Sequence, residues 1–470
     1  MARLEEGSRP DLQATATDTG QFDGMGTVRG PLDGAPTGIT RPSGRSHQRA
    51  CTVASLAFLI GLTFCMALAV GSGPDEGNHI VMANHHAANA RLLTWQETQY
   101  RQIRGHPYHL YSPVGYLAYA PSTWAQNAMG DNGPGAEPDR TFQRLGGLLI
   151  TVGMFFALRS LARRVAPSLM PLHHVVLAFV ISLAPQLRYL SAYVTTDGYT
   201  VLAGIVCFAV AARVLDADHP SYLDAIFTGL AMAMAAHARY NAFPAAGALF
   251  LAFLWSVRGI QGRRERIRRA MVAIGIPVTL AGGFYLTVYR TLGNGHLLAT
   301  EDADQLLRST FDGVPPAAIP KGVLLADNID KVPQVWMTSW FQVLGIDQPP
   351  SWVGWLLLGM TLPATMLLVL RGRKLLGPTG HTIGVAAVVS MMATWALMLT
   401  WPYQIGRFLL PTMVAGLLCA VATVASAAAK RWPDSLPRAC GAPTVIFAVW
   451  AAPMLALNAW ILIQSWQRAG

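Results

Sequence analysis

Two adjacent carboxylates and an imidazole follow the first apolar segment of the chain. They lie in Pro74-Asp75-Glu76-Gly77-Asn78-His79, directly after the apolar residues 51–71. Ionisable groups beside the mouth of a membrane span are costly to desolvate, which makes them candidates for function. A carboxylate such as Asp75 could accept a proton from an incoming hydroxyl group, with His79 four residues later on the same helical face. The alternative is that Asp75 caps a helix and that its neighbours face water.

Three histidines in the same stretch are candidate metal ligands. His79 is followed by His85 and His86, and His86 shares a helical face with Asp75 and His79 if the backbone after Pro74 is helical. These imidazoles could bind a divalent metal ion, although solvated loop histidines are more common. The sequence indicates no other cofactor.

A second isolated acid, Asp197, lies in the turn Tyr193-Val194-Thr195-Thr196-Asp197-Gly198 between two apolar segments. The order of the apolar segments places it on the same side of the membrane as Asp75. It could orient a hydroxyl group or a cation near the first acid. The alternative is that Thr-Thr-Asp-Gly forms an ordinary helix cap and turn.

Arg407 is a cation at the mouth of an apolar segment, in Gln404-Ile405-Gly406-Arg407-Phe408-Leu409-Leu410-Pro411. A guanidinium group at the hydrocarbon edge is costly unless it is paired, and its fork of donors fits a phosphate. A salt bridge to an external acid is the structural alternative. Arg239 is a further external cation, and Arg140 and Arg144 precede another apolar segment. These arginines could bind an anionic head group or extend to the interface.

Aromatic residues are concentrated in two long stretches between apolar segments, 72–141 and 290–350. Within the first stretch, residues 78–104 could form a helix along the membrane surface. In the second stretch, Trp340 or Phe341 could stack on a sugar ring or cover an isoprenoid chain. An aromatic belt at the membrane interface is the alternative.

The composition is that of a polytopic membrane protein. The chain has 470 residues, of which 52% are hydrophobic and 13% are charged, whereas soluble domains have about 25% charged residues. We predict an all-α transmembrane bundle of about eleven spans, with two large external loops that carry interfacial helices. The predicted spans are residues 51–71, 142–161, 172–190, 199–217, 222–238, 241–257, 270–289, 351–370, 378–400, 408–428 and 442–464.

Lys and Arg residues cluster in the short loops on one side of the predicted bundle, which the positive-inside rule assigns to the cytoplasm. Loops 72–141 and 290–350 then lie on the external side with Asp75. Residues 1–48 are polar and rich in Gly, Pro and Thr, so we predict a disordered cytoplasmic tail before a transmembrane domain over residues 49–470. The net charge of +10 arises largely in juxtamembrane loops, which suits membrane lipids better than nucleic acid.

Two classes of protein are disfavoured by missing motifs. The five cysteines lie in or beside predicted spans, so we expect no disulfide framework. The chain lacks the GxxxxGK[ST] phosphate loop, which excludes an ATP-driven pump with its own nucleotide-binding domain.

Taken in order, these elements resemble the GT-C superfamily of polytopic membrane glycosyltransferases. The likeness is greatest to a bacterial family of predicted membrane proteins of unknown function assigned to that superfamily, and it covers about residues 51–465. It rests on Pro74-Asp75-Glu76 with His79, His106-Pro107, Pro113-Val114-Gly115-Tyr116, Asp197, Ser339-Trp340-Phe341 and Gly406-Arg407-Phe408-Leu409-Leu410-Pro411.

The resemblance implies hexosyl or pentosyl transfer from a polyprenyl-phosphate-linked donor to a glycan, lipid or protein acceptor of the cell envelope. The reaction would take place on the external face of a bacterial inner or plasma membrane. The role of general base or acceptor-positioning group falls to Asp75, with Glu76 as the alternative, and Arg407 would stabilise the departing phosphate. The further expected substrate-binding residues are His79, His106, Tyr116, Asp197, Arg239 and Trp340.

Two other classes of function stay open. One is a transporter or flippase of lipid-linked or polar envelope precursors, and the other is a noncatalytic membrane scaffold. A transporter should have polar residues deep within several spans, whereas Asp75, Asp197 and Arg407 map to one surface. The chain also departs from the superfamily at the end of the fifth predicted span, where relatives often carry Lys and this chain has His237 and Arg239.

Overall fold

A computed structural model describes residues 44–68, 76–89, 112–128, 142–292, 332–340, 349–399, 406–432 and 441–469. These residues belong to one compact unit, Gly44–Gly470. Within the described ranges the regular structure is entirely helical, which confirms the all-α prediction. Asp75 and His106 lie outside the described residues, as does all of the predicted tail before residue 44. The boundary between tail and membrane domain stays a prediction.

Fourteen α-helices and three short 3₁₀ helices lie in the described ranges. The α-helices are α1 Gly44–Ala67, α2 Glu76–Asn89, α3 Ala120–Ala128, α4 Leu145–Val165, α5 Pro171–Ser182, α6 Pro185–Ser191, α7 Asp197–Asp216, α8 Tyr222–Ala236, α9 Phe243–Val257, α10 Arg263–Leu292, α11 Val332–Trp340, α12 Ser351–Leu399, α13 Leu410–Arg431 and α14 Ala442–Ala469. The 3₁₀ helices are Pro113–Tyr119, Tyr240–Ala242 and Gly406–Leu409.

The multi-pass membrane architecture is confirmed. In the described part of the chain, eight helices are long and apolar enough to cross a membrane, or nine if α5 and α6 form one span with a 73° bend. Helix α12 counts once here, although Gly377, with a φ of 85°, divides it into two helical halves. Helix α8 is apolar but has 15 residues. The number of eleven crossings therefore stays a prediction.

Helices α4, α7 and α13 form the centre of the bundle. The buried share of the apolar segment is 61% in α4, 72% in α7 and 89% in α13, against 17% in α10. Small residues let the central helices approach closely. A Cβ atom on Gly204 of α7 would collide with the carbonyl oxygen of Pro411 in α13, and one on Gly147 of α4 would collide with the carbonyl oxygen of Ser191 in α6. These contacts fix the position of α7 relative to α13, and of α4 relative to α6, along the axis of the bundle.

The first turns of α4, α7 and α13 lie at the same end of the bundle. Arg144, just before α4, donates a hydrogen bond to the carbonyl oxygen of Leu68 after α1. Asp197, the first residue of α7, contacts Arg407 just before α13. Clustered basic residues occupy the last turns of α4 and α13, at the other end. The assignment of the first end to the external side stays a prediction.

We expect Gly204→Ala to destabilise the protein by about 1–3 kcal/mol, because the added methyl group overpacks the contact between α7 and Pro411. Gly247→Ala in α9 is the matched control, since nothing lies within 4 Å of a Cβ atom at that position. Thermal unfolding of the two purified variants in detergent measures the difference. Equal melting temperatures would contradict the tight crossing of α7 and α13.

Candidate active site

Two arginines and one carboxylate form a buried cluster at the end of the bundle where α7 and α13 begin. Arg239 Nη1 lies 2.8 Å from Asp197 Oδ1, and Arg407 Nε lies 3.1 Å from Asp197 Oδ2. The second contact is an ion pair without the alignment of a hydrogen bond. All three side chains are at most 10% exposed. Two guanidinium groups therefore share one carboxylate in a largely desolvated place.

Asp197 is held by the turn that joins α6 to α7. Its backbone N–H donates to Thr195 Oγ1 over 3.2 Å, and the Tyr119 hydroxyl donates to the carbonyl oxygen of Thr195 over 3.1 Å. The Thr196 hydroxyl accepts a hydrogen bond from Arg239 Nε over 3.2 Å. The turn therefore positions the carboxylate and also orients one of its two arginines.

Arg407 lies on the 3₁₀ helix Gly406–Leu409, which leads into α13. Asn241 Nδ2 donates to the carbonyl oxygen of Phe408 over 3.1 Å. This bond joins the segment just after Arg239 to the segment that carries Arg407. Two segments far apart in the sequence thereby bring their guanidinium groups to the same carboxylate.

His79 and Tyr116 lie beside the arginines. His79 Nδ1 is 2.7 Å from the Tyr116 hydroxyl oxygen, and His79 Nε2 is 3.5 Å from Arg239 Nη2. Because a guanidinium group can only donate, His79 accepts at Nε2 and donates from Nδ1 to Tyr116. Burial, with the charges of Arg239 and Arg407, lowers the pKa of His79 well below its usual range. The imidazole is therefore neutral at pH 7.

Glu76 forms a separate ion pair with Arg144, and both side chains are fully buried. Arg144 Nε and Nη2 each lie 2.7 Å from one oxygen of the Glu76 carboxylate. Arg144 Nη1 donates to the carbonyl oxygen of Leu68 over 2.7 Å, which ties the end of α1 to the start of α2. The expectation that Arg144 binds a lipid head group or extends to the interface is wrong, because its charge is enclosed by these partners.

The histidines of α2 have contacts other than a shared metal ion. His85 Nδ1 is 3.3 Å from Asn89 Nδ2, and the His86 ring centre is 5.6 Å from that of Tyr116. Within the described residues, no group of three or more His, Cys, Asp or Glu side chains is arranged to hold a metal ion. The three candidate ligands His79, His85 and His86 thus do not form such a group.

The structure brings five predicted site residues together: His79, Tyr116, Asp197, Arg239 and Arg407. Trp340, at the end of α11, is 1% exposed, and its ring meets that of Trp336 edge to face at 5.8 Å. Its stacking on a sugar, and the roles assigned to the other residues, stay predictions.

Sequence reasoning missed several residues of this region. Tyr193 and Thr196 precede Asp197 by four residues and by one residue in the turn that leads to it, and this closeness in the sequence is a signal that could have found them. The contact of Asn241 with the Arg407 segment and the pairing of Arg144 with Glu76 have no such signal, because each joins residues from separate parts of the sequence.

No protein-family model matches this sequence, and no curated protein does. Solved structures of an oligosaccharyltransferase from Archaeoglobus fulgidus are similar in fold. Its apo form has a TM-score of 0.53 at 13% sequence identity over 89% of this chain. Its complex with Zn and sulfate has a TM-score of 0.51 at 11% identity over 88% of this chain. The fold is therefore GT-C-like. This chain spans about half the length of those chains, 56% and 53% respectively.

We expect Glu76→Gln to destabilise the protein by about 3–5 kcal/mol, because it removes the carboxylate charge that pairs with the buried guanidinium group of Arg144. Asp216→Asn is the control. It breaks the Arg164–Asp216 ion pair, whose side chains are about one third exposed, and should cost about 1 kcal/mol or less. Thermal unfolding of both variants in the same detergent measures the difference. Similar losses in the two variants would contradict an anchoring role for Glu76.

We expect His79→Gln to weaken the pH dependence of stability. An unfolded histidine binds a proton at about pH 6.5, whereas folded His79, with its lowered pKa, does not. The stability due to neutral His79 is therefore fully present above about pH 6.5 and is lost as the pH falls. Between neutral and mildly acidic pH, the melting temperature of the wild type should fall more steeply than that of His79→Gln.

The control for this pH series is His219→Gln, because His219 is solvent-exposed. Its melting temperature should follow the wild-type curve. If His79→Gln follows the wild-type curve as well, His79 is not held neutral by its surroundings.

Proposed function

We propose that this chain is a membrane glycosyltransferase that moves a sugar from a polyprenyl-phosphate-linked donor to a cell-envelope acceptor. Transfer would take place on the external face of a bacterial inner or plasma membrane. The observation that carries the proposal is the buried cluster of Arg239, Asp197 and Arg407 within a GT-C-like fold. The cluster does not specify whether the donor sugar is a hexose or a pentose. It also does not specify whether the acceptor is a glycan, a lipid or a protein.

The cluster is suited to an anion. Two guanidinium groups lie at one carboxylate, and burial keeps the adjacent His79 neutral at pH 7. Guanidinium groups bind phosphate oxygens through charge-assisted hydrogen bonds that fit their planar fork. We assign the phosphate of the lipid-linked donor to this place.

Asp197 would act by positioning rather than by touching the reacting atoms. Without a carboxylate between them, two buried guanidinium groups would repel each other and turn towards water. Paired with Asp197, Arg239 and Arg407 are already oriented when the donor arrives. Preorganised charges of this kind stabilise a transition state without reorganisation during the reaction.

Asp75 is the proposed general base. It lies outside the described residues and directly precedes Glu76 in the sequence. Glu76, the alternative base, is less suited to the role, because both of its carboxylate oxygens bond to Arg144.

In the proposed reaction, Asp75 accepts the proton of an acceptor hydroxyl group while that oxygen attacks the anomeric carbon of the donor sugar. The bond from this carbon to the phosphate oxygen breaks, and its electron pair leaves with the polyprenyl phosphate. Negative charge grows on the phosphate during this step, which is where Arg407 and Arg239 would act most strongly. His79, Tyr116, His106 and Trp340 are proposed to contact the substrates.

The likeness to an oligosaccharyltransferase supports this class of function by analogy of fold. The analogy has a limited reach, because those chains are nearly twice as long as this one. We propose that acceptor binding depends on the loops 72–141 and 290–350 or on a partner protein.

We expect Asp75→Asn to lower transfer of labelled sugar from a polyprenyl-phosphate donor by about 10²- to 10⁴-fold, as for loss of a general base. Arg407→Ala should lower it by about 10²- to 10³-fold, as for loss of a group that stabilises a developing anion. The measurement is turnover by purified protein in lipid with a panel of donors.

Asp216→Asn and Arg371→Ala are matched controls at the opposite end of the bundle, and both should keep wild-type turnover. Wild-type activity in Asp75→Asn would remove Asp75 as the base. If the wild-type protein consumes no donor of the panel, the proposal fails, and a transporter or flippase, or a noncatalytic scaffold, becomes the better account.

A further inference from the structure

The hydroxyl group of Tyr193 is buried beside the arginine cluster and has no hydrogen-bond partner among the described residues. Tyr193 is 0% exposed. Its hydroxyl lies within electrostatic reach of Arg407, Asp197 and Arg239. Buried hydroxyl groups in proteins are nearly always bonded, because their lost hydration must be replaced. A buried hydroxyl group without a partner among the described residues is a donor that a ligand can use.

The remainder of Tyr193 is fixed in place. Its carbonyl oxygen accepts a hydrogen bond from the Tyr119 hydroxyl over 3.3 Å, and its ring packs against Tyr189 with ring centres 4.9 Å apart. The next backbone N–H, that of Val194, lies 3.4 Å from Glu76 Oε1. Because backbone and ring are both held, the hydroxyl group cannot turn away to reach water.

Three further buried polar atoms without partners among the described residues lie on neighbouring segments: Asn241 Oδ1, Trp336 Nε1 and Trp340 Nε1. Asn241 contacts the Arg407 segment through Phe408, and α11, which ends at Trp340, packs against the same segment. This region of the described structure thus combines two guanidinium groups with buried donors and one buried acceptor that have no partner among the described residues. A molecule with an oxyanion and hydroxyl groups has the complementary chemistry.

We infer that Tyr193 is a further ligand-binding residue, whose hydroxyl group donates a hydrogen bond to a phosphate oxygen held between Arg239 and Arg407. This inference rests on the proposed function, which supplies the phosphate. A phenol adds a donor without adding charge, so it strengthens phosphate binding and leaves the net charge of the cluster unchanged.

The test is the binding of a polyprenyl monophosphate to wild type and to Tyr193→Phe in lipid nanodiscs, with a polyprenol of equal length as the uncharged reference. A hydrogen bond to a charged group corresponds to about a tenfold or larger change in affinity. We expect Tyr193→Phe to bind the phosphate about tenfold more weakly and the polyprenol equally. Its melting temperature without ligand should equal or exceed that of wild type, because the substitution removes an unpaired hydroxyl group.

Two other tyrosines provide controls. Tyr119→Phe removes a hydroxyl group that bonds to Tyr193 and Thr195, so it should lower the melting temperature. Tyr222→Phe removes an exposed hydroxyl group at the opposite end, where it bonds to Glu265, and should change neither stability nor binding.

Arg407→Gln separates this inference from the proposed function. If wild type binds the phosphate, Arg407→Gln does not, and Tyr193→Phe binds like wild type, then the inference on Tyr193 is wrong and the anion site stands. If wild type does not distinguish the phosphate from the polyprenol, the proposed site fails and the inference with it. If Tyr193→Phe loses stability as Tyr119→Phe does, the Tyr193 hydroxyl is structural and the inference is overturned.

Discussion

The burial of Asp197 between two guanidinium groups is the constraint on which the rest of the site depends. A lone carboxylate at this depth would be strongly disfavoured, and so would either arginine alone, since unpaired charges are costly to remove from water. Asp197 offsets this cost by pairing with both Arg239 and Arg407. One carboxylate thus orients two guanidinium groups, which under the proposed function would bind the phosphate of the donor.

The second buried ion pair explains how this cluster stays in place. Glu76 and Arg144 join α1, α2 and α4, and Glu76 also approaches the N–H of Val194 in the turn that leads to Asp197. That turn is held from its other side by Tyr119. Residues 194–197 thus connect the Glu76–Arg144 ion pair to Asp197. The close crossing of α7 and α13 fixes the position of Asp197 and Arg407 along the axis of the bundle.

The helices were predictable from the sequence, because a long run of apolar residues indicates a membrane-spanning helix whatever its neighbours are. The gathering of Asp197, Arg239 and Arg407 at one end followed from counting spans. Their pairing did not, since it depends on how distant segments pack. Arg144 shows the limit: charge and position suggested a lipid contact, but burial and a bidentate pair with Glu76 decide its role. Histidine spacing likewise suggested a metal site, whereas His79 contacts Tyr116 and Arg239.

Under the proposed function, the carboxylate of Asp197 also affects the rate of turnover. Two arginines without Asp197 would bind the donor phosphate more tightly. They would bind the departing polyprenyl phosphate more tightly still, because its negative charge is larger, so release of the product would be slow. With Asp197 competing for both guanidinium groups, binding of either phosphate is weakened, and the interaction grows chiefly when negative charge develops. The carboxylate that makes the cluster stable without ligand would therefore also keep it from holding its product.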